Sequence, residues 1–420
     1  MKNTDGIVRV GGVGTGRIFQ WAHLRTYLHL LGKARLIGFL DLSPGRAAEA
    51  MAKYRQMLTE HAEAHPESAE AIRRNLDELR CYDSLEAMLE QVDAVDVATH
   101  ARGRMDVAVA ALEAGVHSMV EKPMARTWIE ADRAARAFAE RPEVFCQLND
   151  DNVHEVKYRV LHDVLARREL GGPQSVTMIR GSKLSSTSVL RSQASGPDNG
   201  GGCLMDYGTH GLAGIWYALG TRLVPRKVDA VRIAVLHRHR VLEERPYVME
   251  VDDNARVKVL FEDPDTGRWV TVYIEASWCG GHIGLDKAKE GGQAKGVLRV
   301  VCDDGVIEAT DPEQMRLLGF DGGETILPMR VYPGETMSFL GEFEAFFDAI
   351  RSGTPPRFDV QFGAEILAIV GAAYYSAVEN RAVTIEEFKD FSRSYVDRCG
   401  DADKATEAIL ADLLAPYRAT

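Results

Sequence analysis

The chain has 420 residues, 45% of them hydrophobic, and its 62 acidic against 50 basic side chains give a formal charge of −12. A chain of this length buries a large core and suits two domains better than one. The acidic balance argues against a nucleic-acid or anionic-membrane surface, which rests on clustered positive charge.

From the N-terminus, Met1-Lys2-Asn3 runs straight into an apolar strand without the charged, apolar and small-residue regions of a signal peptide. No apolar run approaches the roughly 18 residues of a membrane span, so the expected location is the cytoplasm. Short apolar strands then alternate with helical patterns, the signature of βαβ units. Residues 7–13 are a β-branched run ending in glycine, 17–31 a helix and 34–41 a second strand. Ser43 and Pro44 supply an N-cap and a first-turn proline for the next helix. Residues 46–80 form a long charged helical excursion broken only by Pro66. A short helix (84–91), a strand (94–98) and a helix (105–114) with Gly115 after it follow. Next come a strand (117–120), the tripeptide Glu121-Lys122-Pro123, a helix (128–139) and a strand (144–148), which closes the first domain. The predicted division is 1–148 and 149–420.

The pattern then changes. A helix over 153–168 precedes long strands at 174–179, 227–237, 255–261, 269–277 and 296–302, separated by turns such as 263–267. This reads as an α+β domain with a large, mainly antiparallel open sheet. Helices at 336–351 and 361–380 and an acidic C-terminal helix complete the chain. The six cysteines, Cys81, Cys146, Cys203, Cys279, Cys302 and Cys399, show no C-x-x-C spacing and read as reduced thiols. His237, Arg238 and His239 read as an exposed strand face, and no metal is expected.

The first strand runs into Gly14-x-Gly16, followed by Arg17 and Ile18, with Phe19 where a third glycine usually stands. Gly14 permits the tight turn, Gly16 lets backbone N–H groups approach a pyrophosphate, and the helix presents its positive N-terminus. The third glycine serves helix–strand packing, so Phe19 predicts a shifted helix rather than a lost phosphate site. Asp41, ending the second strand, stands where a carboxylate accepts both ribose hydroxyls and repels a 2′-phosphate. NAD is therefore favoured over NADP, although Arg46 leaves room for the latter. In the competing reading Asp41 only caps the next helix.

Glu121-Lys122-Pro123, preceded by residues 111–115, and a second block, Gly200-Gly201-Gly202 leading to Asp206 and His210, resemble the Gfo/Idh/MocA oxidoreductases. The resemblance runs from Ile7 to about Asn380. It implies a Rossmann domain, then a domain whose open sheet serves dimer or tetramer formation, with a substrate pocket between the domains, against the nicotinamide. It further implies a polyol, sugar, glycoside or cyclitol as substrate, and cofactor contacts by Thr99, His100, Glu121 and Lys122. The family's Thr-Pro-Asn-x-x-His loop is altered here: Thr99 is kept, but His100, Ala101 and Arg104 replace the proline, asparagine and histidine.

A secondary alcohol yields hydride readily only as its hydroxyl proton leaves, so a base and a donor to the oxygen are needed. The motif positions assign His210 as acid–base group and Lys122 as hydrogen-bond donor, with Asp206, one helical turn from His210, orienting substrate and imidazole. Pro123 sets the turn that aims Lys122 inward, and a bond before proline is of the kind that adopts the cis form. Asn149, Asn152 and His154, which open the second domain, and Lys183, Arg191 and Asp198 in the loop before the glycine block are candidate substrate contacts. Tyr207 and Trp278 are candidates for stacking on a sugar face. Two other functions fit the same motifs: an NAD-recycling enzyme that cleaves glycosides, and a non-catalytic cofactor-binding sensor.

Overall fold

A computed structural model describes residues 6–181, 196–242, 244–279, 296–311, 313–329 and 337–418. The chain divides into two compact units. The first comprises the described residues of Met1–Ala125, Ala131–Asp151 and Pro333–Ala364, the second those of Arg126–Glu130, Asn152–Tyr332 and Glu365–Thr420.

In the first unit, β1 (Val8–Val13), β2 (Ala34–Leu40), β3 (Arg80–Cys81), β4 (Ala94–Val97), β5 (His117–Glu121) and β6 (Cys146–Asn149) form one sheet in the order β3-β2-β1-β4-β5-β6. All five pairings are parallel. Strands such as β1, β2 and β4 are largely buried on both faces, as a parallel sheet requires. The strand order reverses at β1, and beyond the C-terminal ends of β1 and β4 lies the crevice where such sheets bind ligands.

A contiguous split at 148/149 does not describe the units. The late helix Met337–Ser352 carries Phe339, Phe343, Phe346 and Phe347 on one face, and these rings enter the core of the first unit with Leu24 and Tyr27. Tyr27 and Phe343 lie 5.3 Å apart, edge to face. Locally, the expected helix over 17–31 is a π-turn, Phe19–His23, continued by Leu24–Tyr27. Ser43 is not an N-cap: the next helix begins at Arg46 behind Gly45, whose φ is +78°, without a side-chain cap. The excursion is two helices, Arg46–Ala64 and Ala69–Glu78, joined by a turn at Pro66–Ser68.

The second unit is built on a nine-stranded mixed sheet. Its strands are β7 (Pro173–Gly181), β8 (Val224–Ala234), β11 (Asn254–Glu262), β12 (Trp269–Ser277), β13 (Val297–Cys302), β14 (Gly305–Glu308), β15 (Gln314–Gly319), β16 (Glu324–Pro328) and β17 (Val383–Thr384). The order is β16-β15-β14-β13-β7-β12-β11-β8-β17, antiparallel except for the β7–β12 pair. A separate hairpin of β9 (His239–Leu242) and β10 (Arg245–Val248) holds His239. Helices Val156–Arg167 and Thr209–Leu219 pack together where Gly214 leaves room for Tyr158, and Gly211 lets the Met178 side chain of β7 approach. The opposite strand positions leave Val231, Trp269, Tyr273 and Ile326 exposed.

Helix Val360–Glu379 is long and apolar enough to cross a membrane, contrary to the expectation of no such run, yet 72% of that window is buried in the protein. The acidic C-terminal helix proves to be two, Ile385–Cys399 with a Thr384/Glu387 capping box and Ala402–Leu414 capped by Asp401.

Candidate active site

The nucleotide turn leaves β1 at Gly14, whose φ is +82° and on which a Cβ would lie 2.7 Å from the Thr99 nitrogen, so glycine is required there twice over. A Cβ on Gly16 would meet nothing within 4 Å, so its backbone stays open to an approaching pyrophosphate. Arg17 is exposed beside it, and Ile18 packs partly into the core. Phe19, at the missing third glycine, is fully buried and fills the place of a Cβ on Gly12, 2.3 Å away. The helix–strand contact is thus kept by a glycine in the strand instead of one in the helix.

Asp41 closes this turn. Its Oδ2 accepts from the Thr15 N–H at 2.8 Å and from the Thr15 hydroxyl at 3.2 Å, and its Oδ1 from the Ser43 N–H at 2.8 Å. A carboxylate offers about four acceptor positions, and three of those on Asp41 are taken within the turn. Arg46 Nη1 stands 3.6 Å from Oδ1. The open backbone at Gly16 and the remaining acceptor of Asp41 fit NAD.

Beyond β4, Thr99 is half-buried and His100 exposed. Arg104, at the position of the family's histidine, turns back into the fold. Its Nη1 donates to the Glu121 carbonyl at 2.5 Å and to the Pro123 carbonyl, and its Nη2 to the Thr99 carbonyl. One guanidinium therefore ties the altered loop to both sides of Lys122. Burial lowers Arg104 to about 10, with Glu121 opposing, so it stays charged at neutral pH. The Lys122–Pro123 peptide is cis, and the Lys122 N–H donates to the Asn149 carbonyl at 3.1 Å.

Under this strand end lies a buried charge network. His23, in the π-turn, contacts Asp96 through Nδ1 at 2.9 Å and Glu121 through Nε2 at 3.0 Å, and the Tyr27 hydroxyl donates to Asp96 at 3.1 Å. Burial opposes charge on His23, but the two carboxylates outweigh it and raise its pKa to about 10. Glu121 feels the same burial penalty, yet His23, Arg104 and Lys122 hold its carboxyl below the usual range. Glu342, from the late helix, has its pKa pushed well up by burial and by Glu121, Asp151, Asp150 and Asp96.

The second unit carries the glycine block. Each glycine meets a part of the chain distant in sequence: a Cβ would lie 2.2 Å from the Arg126 carbonyl oxygen at Gly200, 2.3 Å from the Tyr374 hydroxyl at Gly201 and 2.0 Å from the Asp252 carbonyl oxygen at Gly202. The block leads into a second π-turn, Leu204–Gly208, and helix Thr209–Leu219. Single π-turns recur at functional sites, and here one accompanies each motif. Asp206 and His210 are both nearly buried, and Trp278 Nε1 donates to Asp206 Oδ2 at 3.1 Å. Trp278 is wholly buried, so it orients Asp206 and has no face to offer a sugar.

Of the candidate substrate contacts, Asn152 and Tyr207 are brought together by Arg180, which bonds Asn152 Oδ1 at 2.8 Å and lies 5.3 Å above the Tyr207 ring. His154 is half-buried in the turn Asp151–His154, and Lys183 and Arg191 lie outside the described residues. Sequence reasoning missed the supporting groups His23, Arg180, Asp252 and Tyr374, and it placed Arg104 in the loop without its role. None sits at a distinctive spacing. A buried ionisable residue in a helix, such as His23 within 19–27, was the one available signal.

Comparison with known proteins agrees with this fold. Residues 8–149 match the Gfo/Idh/MocA family model, described as an oxidoreductase family with an NAD-binding Rossmann fold. A UDP-N-acetylglucosamine 3-dehydrogenase from Acidithiobacillus ferrooxidans is 29% identical over 147 residues, 35% of this chain; the match spans 38% of that protein's length. Levoglucosan dehydrogenase in complex with NADH and L-sorbose matches in structure with a TM-score of 0.71 at 17% identity, over 90% of this chain and 98% of the other. An oxidoreductase domain protein from Kribbella flavida gives 0.70 at 17% identity, over 90% and 99%. The fold and the nucleotide turn are those of an NAD-binding Rossmann domain, and residues 8–149 match the model of an oxidoreductase family, Gfo/Idh/MocA.

Proposed function

We propose that this chain oxidises a secondary hydroxyl of a sugar, glycoside or cyclitol. NAD, when bound, supplies the hydride acceptor. Lys122 donates a hydrogen bond to the reacting oxygen, and His210 removes the hydroxyl proton in oxidation and returns it in reduction. Asp206, oriented by Trp278, holds substrate hydroxyls and the imidazole. One observation supports Lys122 most directly: the backbone on both sides of it is fastened by Arg104, and the preceding Glu121 is anchored by His23. Such preorganisation is what an oxygen-contacting donor needs and an ordinary strand-end lysine does not. The sugar class is supported by the names of the relatives, which are dehydrogenases of a nucleotide sugar and of levoglucosan.

The test is NADH absorbance with purified protein, NAD and a panel of UDP-N-acetylglucosamine, levoglucosan, L-sorbose, myo-inositol and simple glycosides. NADH should accumulate with at least one, and Lys122→Ala and His210→Ala should each lose most turnover. Aglycone release without net NADH would replace this reading with glycoside cleavage. We also infer a homodimer or homotetramer formed through the exposed sheet face at Val231, Trp269, Tyr273 and Ile326. Light scattering on Tyr273→Glu should show dissociation.

A further inference from the structure

We propose that Asp252 and Tyr374 are positioning residues for the Asp206–His210 turn, acting through the backbone of Gly202. This rests on the assignment of His210 as the acid–base group.

The argument begins at Gly202, whose two backbone groups point to different duties. Its N–H donates to Asp252 Oδ1 at 2.9 Å and lies 3.2 Å from the Tyr374 hydroxyl oxygen, while its carbonyl accepts the Asp206 N–H at 3.0 Å. One peptide unit therefore joins the clamp to the first turn that carries Asp206. Asp252 grips the next two residues as well: the Leu204 N–H donates to Oδ2 at 2.9 Å, Cys203 Sγ lies 3.2 Å from Oδ2, and the Cys203 N–H donates to the Asp252 carbonyl at 2.9 Å. The Tyr374 hydroxyl completes the set at 2.6 Å from Oδ1.

Asp252 and Tyr374 are almost wholly buried, and the three glycines allow no Cβ between the block and its neighbours. The segment 202–204 is thus pinned through its backbone N–H groups and the Cys203 thiol by a buried acceptor, and the pinned segment ends two residues before Asp206. Tyr374 is itself set from the C-terminal tail: the Tyr417 ring packs on it at 6.0 Å, and Arg238 Nη1 holds the Tyr417 carbonyl at 3.0 Å. The C-terminal segment thereby braces the clamp on Gly202. A displacement of about 1 Å in a group that moves a proton can cost on the order of a hundredfold in rate, so a brace of this kind should act on kcat.

The test uses the full chain with the panel sugar that gives the highest NADH rate. Tyr374→Phe removes one hydroxyl and keeps the ring against Tyr417; Asp252→Asn keeps the volume and loses acceptors. Both should lower kcat about tenfold or more, leave the Kd for NADH within about twofold, and speed amide exchange in peptides covering 200–210. Unchanged kcat in both variants, with His210→Ala inactive, overturns the inference while leaving the proposed function standing. Unchanged exchange over 200–210 in both overturns it as well. An active His210→Ala overturns the acid–base assignment and, with it, this role for the clamp, even where exchange over 200–210 rises.

Discussion

Phe19 Cζ stands 2.3 Å from where a Cβ on Gly12 would be, so the strand glycine and the helix phenylalanine are a matched pair. Gly12→Ala should force Phe19 away and move the start of the helix that follows the nucleotide turn. Overpacking of this kind costs about 1–3 kcal/mol. Thermal unfolding should show a Tm several degrees lower, and fluorescence titration a weaker Kd for NADH. A variant that keeps both values would show that the helix start does not depend on this contact.

Arg104 holds three carbonyls and so fixes the loop at Thr99 to the strand end at Glu121 and Pro123. A lysine presents one point charge in place of a planar fork. Arg104→Lys should therefore weaken NADH binding, and Arg104→Ala more so, since hydrogen bonds from a charged donor contribute about 1.5–3 kcal/mol each. Calorimetric titration with NADH decides this; equal affinity in all three proteins would mean that the loop is fixed by other contacts.

His23 makes the stability of the first unit pH-dependent in a stated direction. Its pKa rises from 6.5 to about 10 in the fold, so its stabilisation is fully present below about 6.5 and is lost as pH rises towards 10. Urea unfolding at pH 6 to 10 should show that decline, and His23→Gln should flatten it. Breaking a buried pair also costs about 3–5 kcal/mol, so the variant should be less stable at pH 6. A variant with the wild-type slope would remove His23 as its source.

His117 works in the opposite sense. Burial pushes its pKa from 6.5 down to about 4, and its Nδ1 accepts the Phe145 N–H at 3.0 Å, which needs a neutral ring. The stability it contributes is present above about 6.5 and falls as pH drops towards 4. His117→Gln keeps an acceptor without the titration. The fall in Tm between pH 7 and pH 5 should be smaller in the variant than in the wild type.

Legibility in the sequence followed the range of the signal. The helix Trp128–Ala139 has the bounds expected from its pattern, and β5 runs only one residue past the expected 117–120, ending at Glu121, because periodicity and strand composition act over neighbouring residues. The helix start after β2 was misread at Ser43 because that residue's N–H is taken by Asp41, a contact two residues back that local propensity does not reveal. Trp278 was a plausible stacking surface until the fold buried it against Asp206.

By itself the sequence determined the parallel α/β order of the first part, the glycine turn, the strand-end Lys122 and the glycine block before His210. These are short-range patterns, readable wherever a few residues dictate backbone conformation. The tertiary structure alone decided that 337–352 belongs to the first unit, that Arg104 fastens the lysine loop, that His23 is charged in the core, and that Gly200, Gly201 and Gly202 are glycines to admit Arg126, Tyr374 and Asp252. Those contacts join residues from 17 to more than 170 positions apart, and their existence depends on which surfaces meet when the chain closes, a property that no local stretch of sequence encodes.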